Sequence, residues 1–172
     1  MRTIGVAALG AMLAACASAS AATAGGEVVR IGAPDSPISG SVAVLADAEL
    51  VYISGTVPDA VDPAAPAGSV ARFGDTEAQT RSVLGKIETA LAAHGLGLGD
   101  VVMMRVFLVA PPGKAQMDFG GMMRAYRERF GTAAQPNKPA RSTMQVAGLV
   151  DPGWLAEIEV TAARARSTTR TP

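Results

Sequence analysis

The sequence predicts an α+β domain: one mixed sheet with two helices packed on one of its faces. Three observations carry that expectation. Apolar segments fall in the order strand, strand, helix, strand, helix, strand, strand, which collects the helices between strands. Helical spacing occurs twice, over residues 76–94 and 117–130, while the other apolar runs are short and rich in β-branched residues. The chain's 172 residues suit a single domain. A sheet covered on one face needs a partner for the other, so we expect an oligomer.

The elements follow in order. Residues 25–31, with Val28 and Val29, open with a short strand. Two apolar runs, 42–46 and 50–53, flank the polar turn Asp47-Ala48-Glu49 and read as a β-hairpin. Residues 56–74 hold Pro58, Pro63 and Pro66 and form a long loop, functional or an insertion. Asp75 or Thr76 caps a helix whose apolar positions are Val83, Leu84, Ile87 and Leu91, and Gly95 ends it. The Gly95-Leu96-Gly97-Leu98-Gly99 run follows a helix and precedes a strand. That is the reverse of a dinucleotide-binding loop, so it reads as a helix cap and turn. Residues 101–109 form a strand ended by Pro111-Pro112-Gly113. The second helix has Phe119, Met122, Met123, Tyr126 and Phe130 on its apolar side and Gly131 as its stop. Its Gly120-Gly121 pair weakens the first turns by roughly 1 kcal/mol each relative to Ala. Strands over 141–149 and 155–163 complete the domain, which spans 25–165, and 166–172 is a polar, disordered tail.

Composition narrows the function. Lys+Arg and Asp+Glu both number 15, and aromatic residues are 4%, so neither charge nor stacking surface favours a nucleic-acid partner. One Cys and one His cannot supply the roughly four ligands of a structural zinc site. His94 sits at a helix end, where a positive charge suits the helix dipole, and is not taken as catalytic. Met103, Met104, Met117, Met122 and Met123 read as core filler. We expect a domain that works without a cofactor.

Residues 1–24 read as an export signal: Arg2 precedes the apolar run 4–13, and small residues follow. That run is shorter than the roughly 20 residues needed to cross a bilayer. Leu13-Ala14-Ala15-Cys16 resembles a bacterial lipobox, which would leave a lipidated Cys16 as the first mature residue. The alternative is ordinary cleavage after Ala19, Ala21 or Ala24. Either route exports the protein to the periplasm, membrane-attached through Cys16 in the first and soluble in the second.

Three polar patches remain: Tyr52-Ile53-Ser54-Gly55, the stretch 139–147, and Ala156-Glu157-Ile158-Glu159-Val160. Strand alternation puts Arg141, Thr143 and Gln145 on one side of their strand and Glu157 with Glu159 on one side of theirs. We expect both sets on the helix-free face, either as a subunit-interface cleft or as salt-bridged neighbours on a solvated surface.

Ile53-Ser54-Gly55, Gln79-Thr80-Arg81, Leu98-Gly99-Asp100-Val101-Val102, Val106-Phe107-Leu108, Tyr126, Pro139-Ala140-Arg141-Ser142-Thr143 and Glu157-Ile158-Glu159 together resemble the RidA/YjgF/UK114 family of reactive-intermediate deaminases. The resemblance runs from about Ile31 to Ala163. It implies a chorismate-mutase-like fold, a homotrimer with clefts between subunits, and cofactor-free hydrolysis of 2-imino or enamine acids to 2-oxo acids and ammonia. It implies Arg141, Ser54 and Thr143 as substrate-binding residues and Glu157 as the acid that orients the attacking water. Three positions depart from the family pattern: Ser41 replaces an aromatic residue, Met123 an Asn and Thr143 a Cys. The runner-up is a non-catalytic exported trimer that binds small carboxylates or unfolded chains. A ribonuclease, a label some family members carry, fits the neutral charge and single His poorly.

Overall fold

The computed structural model describes residues 28–164. The export signal with Cys16 and the 166–172 tail lie outside them. Within them the order is β1 (Val29–Ile31), β2 (Ser41–Ala43), β3 (Glu49–Thr56), α1 (Val70–Phe73), α2 (Thr76–Ala92), a 3₁₀ turn (Leu98–Asp100), β4 (Val101–Leu108), α3 (Phe119–Arg127), β5 (Ala140–Gln145) and β6 (Ala156–Arg164).

β3, β6, β4 and β5 form the main sheet, in that order. β6 runs antiparallel to both neighbours, and β4 runs parallel to β5. The sheet is therefore mixed, as expected. The expected hairpin between 42–46 and 50–53 does not form. β2 pairs with β1 as a separate ribbon, and β3 pairs with β6 more than a hundred residues away. The polar turn only redirects the chain, and pairing with β6 is what carries Val51 of β3 into the core.

α2 starts where Asp75 accepts a hydrogen bond from the Ala78 amide at 2.9 Å. It buries Val83, Leu84, Ile87 and Leu91 completely, and Gly95 leaves the helix at φ +68°. α3 starts two residues later than the spacing suggested, with Asp118 accepting from the Gly121 amide at 2.8 Å. Gly121 has a steric reason: a Cβ there would overlap the capping Asp118 carboxylate and press on the Glu77 backbone of α2. Ion pairs tie the two helices together outside the core: Arg81 grips Glu128 through two nitrogens, and Glu77 is shared by Arg81 and Arg124.

The core lies between these helices and the sheet. Met104, Val106 and Leu108 of β4, with Ala156, Ile158 and Val160 of β6, point into it alongside Met122, Tyr126 and Phe130. Met104, Met122 and Met123 are core residues, as expected. The proline-rich stretch is a loop except for the single turn α1. The last expected strands are shifted: β5 stops at Gln145 rather than 149, and β6 runs to Arg164.

Candidate functional site

The sheet register decides which way the polar residues of β5 face. Pro139 enters the strand extended, held by Ser39, whose amide donates to the Pro139 carbonyl at 3.0 Å and whose hydroxyl donates to the Lys138 carbonyl at 2.6 Å. β5 then pairs with β4 as Met104↔Arg141, Val106↔Thr143 and Leu108↔Gln145. Paired residues on neighbouring strands share a face. Since Met104, Val106 and Leu108 are wholly buried under the helices, Arg141, Thr143 and Gln145 face the helices as well.

Arg141 therefore lies beneath α3. Its guanidinium sits over the Tyr126 ring at 4.3 Å and near the Phe119 ring at 6.0 Å, and Nη2 donates to Met123 Sδ at 3.1 Å. Nη1 is buried without a hydrogen-bond partner, and so is Thr143 Oγ1 two residues along. No carboxylate of the described residues pairs with Arg141. Burial lowers its pKa; the Tyr126 hydroxyl opposes that shift and the neighbouring Arg127 adds to it. A guanidinium nonetheless stays charged at neutral pH. β5 is an edge strand, and Phe119 remains 44% exposed beside it.

A second cluster occupies the opposite face. In β6, Ile158 and Val160 point to the helices, as expected, and Glu157 and Glu159 point away. Glu159 pairs with Arg105 at 2.6 Å. Glu157 lies over Gly55, where any Cβ would overlap its carboxylate. An irregularity in the β3–β6 pairing between Ile53 and Thr56 takes Ser54 and Gly55 out of regular register beside it. This face also carries exposed Tyr52 and a depression of about 230 Å³ lined by Tyr52, Ser54, Met103, Arg105, Glu159 and Thr161.

The expectation that both polar sets share the helix-free face is thus corrected. Arg141, Thr143 and Gln145 lie on the helix face, Glu157 and Glu159 on the other. Arg141 is level with Met104 and Glu157 with Phe107, three rungs apart along the intervening β4. The cause is the parallel β4–β5 register, which alternation within one strand does not reveal. Within one chain the structure brings Arg141 and Thr143 together and Ser54 near Glu157, but it does not join the pairs.

Sequence reasoning misses the walls of the Arg141 site. Spacing places Phe119, Met123 and Tyr126 on the apolar side of the helix, and only the family resemblance singles out Met123 and Tyr126. No local signal separates them from ordinary helix-face residues. His94 is exposed beyond α2, and its carbonyl accepts from Arg164 at 3.0 Å, apart from both clusters. Among the described residues no group of His, Cys, Asp and Glu is placed to hold a metal ion. No helix among them is long and apolar enough to cross a membrane.

Comparisons with known proteins agree on one group. The family model described as endoribonuclease L-PSP matches residues 33–164. A RutC family protein of Pyrococcus horikoshii is 36% identical over 99 residues, covering 58% of this chain and 68% of its own. A 2-iminobutanoate/2-iminopropanoate deaminase of Salmonella typhimurium is 37% identical over 100 residues, covering 58% and 69%. Among solved structures, a Rid-family protein of unknown function from Yersinia pestis superposes with a TM-score of 0.55 at 24% identity, covering 74% of this chain and 87% of its own. A putative endoribonuclease of Thermotoga maritima gives 0.52 at 26% identity, covering 80% and 98%.

Proposed function

The chain belongs to the RidA/YjgF/UK114 family, and from that premise we propose that it hydrolyses reactive 2-imino or enamine acids to 2-oxo acids and ammonia. One observation carries the reading: Arg141 is a half-buried cation with an unpartnered Nη1, beside the unpartnered Thr143 hydroxyl. A carboxylate on that guanidinium would supply the missing acceptor, in a charged hydrogen bond worth about 1.5–3 kcal/mol. Tyr126 and Phe119 would keep water from one side of the bound acid. The imine carbon then needs only a positioned water, and Glu157 is the proposed group that orients it and accepts its proton. Ser54, beside Glu157, is the proposed polar contact on the imine side.

Arg141 and Glu157 occupy opposite faces of one sheet, so a site using both draws them from two copies of the chain. We propose a cyclic homotrimer with three such clefts. Arg141→Ala and Glu157→Gln proteins, each inactive alone, would recover about a quarter of wild-type activity when mixed equally and reassembled, because that share of interfaces pairs two intact residues. The primary test is 2-oxo acid release from enzymatically generated 2-iminopropanoate or 2-iminobutanoate. Wild type accelerates it and Arg141→Ala does not; equality of both with the buffer control overturns the proposal. Binding of 2-oxo acids without turnover would instead mark a carboxylate-binding trimer.

The proposed location is the periplasm, with lipid attachment at Cys16. Two acyl chains would anchor it stably at about 0.8 kcal/mol per buried CH₂. Mass spectrometry of the mature amino terminus tests this, since a chain beginning after Ala19, Ala21 or Ala24 rules out the anchor.

A further inference from the structure

The structure singles out a buried side chain that touches neither cluster. Gln79 of α2 is completely enclosed, and its amide uses three hydrogen bonds to join the residue ahead of its own helix cap to the 153–155 segment. Nε2 donates to the Gly74 carbonyl and to the Gly153 carbonyl, each at 2.9 Å, and Oε1 accepts from the Leu155 amide at 2.7 Å. Leu155 stands two residues before Glu157, at the point where the chain enters β6. Gly74 closes the proline-rich loop that opens just after Ser54 and Gly55, the residues against Glu157. The start of that loop is fixed to the same helix: the Asp59 amide donates to Ser82 Oγ at 3.0 Å, and Lys86 pairs with Asp59 at 2.7 Å. Gly153 leaves no slack, because a Cβ there would run into the Ser69 backbone and the Phe73 ring.

We infer that Gln79 is a positioning residue for Glu157, acting through the Gly153–Leu155 backbone that leads into β6 and through the loop that follows Ser54 and Gly55 in the chain. This rests on the deaminase reading and adds to it. A helix-borne amide, rather than the loop itself, fixes where the proposed water-orienting carboxylate sits. Gln79 makes no contact with Arg141, so loosening it should disturb the chemical step and leave carboxylate capture intact.

The experiment compares wild type with Gln79→Met, which keeps the volume and removes all three bonds, and with Gln79→Asn, which keeps a shorter amide. The readouts are kcat on enzymatically generated 2-iminobutanoate and Kd for 2-oxobutanoate. We expect kcat to fall at least about 10-fold in Gln79→Met, with Gln79→Asn between it and wild type and Kd unchanged in both. A wild-type kcat in the variants overturns the inference, and so does a parallel loss of kcat and of 2-oxobutanoate binding, which marks a purely structural glutamine. Should Gln79→Met fail to fold, Gln79→Asn separates these outcomes alone. Wild type without turnover sinks the deaminase reading instead.

Discussion

Replacing Arg141 by Met separates a ligand-gripping cation from a structural one, because the two predict opposite changes in stability. An arginine in a buried ion pair leaves an unpaired carboxylate when removed, at a cost of about 3–5 kcal/mol. Arg141 has no such partner among the described residues, only a thioether and two rings. Arg141→Met removes the burial of an unmatched charge, which favours the variant. It also removes the cation–π contact with Tyr126, worth about 0.5–2 kcal/mol. The two nearly offset, so stability should stay within about 1 kcal/mol of wild type, a shift of about 3–5 °C in Tm. Ligand binding should change far more: losing a charged hydrogen bond of about 1.5–3 kcal/mol weakens 2-oxobutanoate roughly 10- to 150-fold. The assay is calorimetric unfolding with and without the 2-oxo acid. At a ligand concentration about 100 times its Kd, wild type gains about 2.7 kcal/mol, and at that same concentration the variant gains about 0.3–1.4 kcal/mol. A fall in Tm of about 10 °C or more without ligand, or equal stabilisation of both proteins by ligand, would refute this account.

Two further expectations follow from single side chains. Gly55→Ala forces the Glu157 carboxylate aside; turnover should fall about 10- to 100-fold while 2-oxobutanoate binding is retained, in steady-state kinetics beside calorimetric titration. Tyr126, whose hydroxyl donates to the Pro37 carbonyl at 2.9 Å, has its pKa pushed up by burial from 10.0 to about 12. Its contribution is therefore fully present below pH 10 and is lost as pH rises towards 12, at about 1.4 kcal/mol per pH unit. Tyr126→Phe should be less stable by about 1 kcal/mol at neutral pH and should lack that alkaline loss; parallel stability curves from about pH 9 to 12 would contradict it.

Much of the fold is legible in the sequence for local reasons. Asp75 and Gly95 bracket α2 because capping and positive φ are properties of single residues. The burial of Val83, Leu84, Ile87 and Leu91 follows from their spacing. The failed hairpin shows where local reasoning ends. Asp47-Ala48-Glu49 is a turn-like tripeptide between apolar runs, yet it holds no information about β6. Arg141 and Glu157 are both identifiable as candidates, through a resemblance resting on short patches. Gln79 stands in one of those patches without any hint that its amide ties the start of its own helix to the distant 153–155 segment.

By itself the sequence determined which residues are polar and on which side of their own strand each set falls, since alternation belongs to a single chain segment. Only the tertiary structure decided that the side bearing Arg141 meets the helices while the side bearing Glu157 turns away. That outcome is set by pairing between strands far apart in sequence. A shift of one residue in the β4–β5 register would exchange the faces and leave every local pattern unchanged.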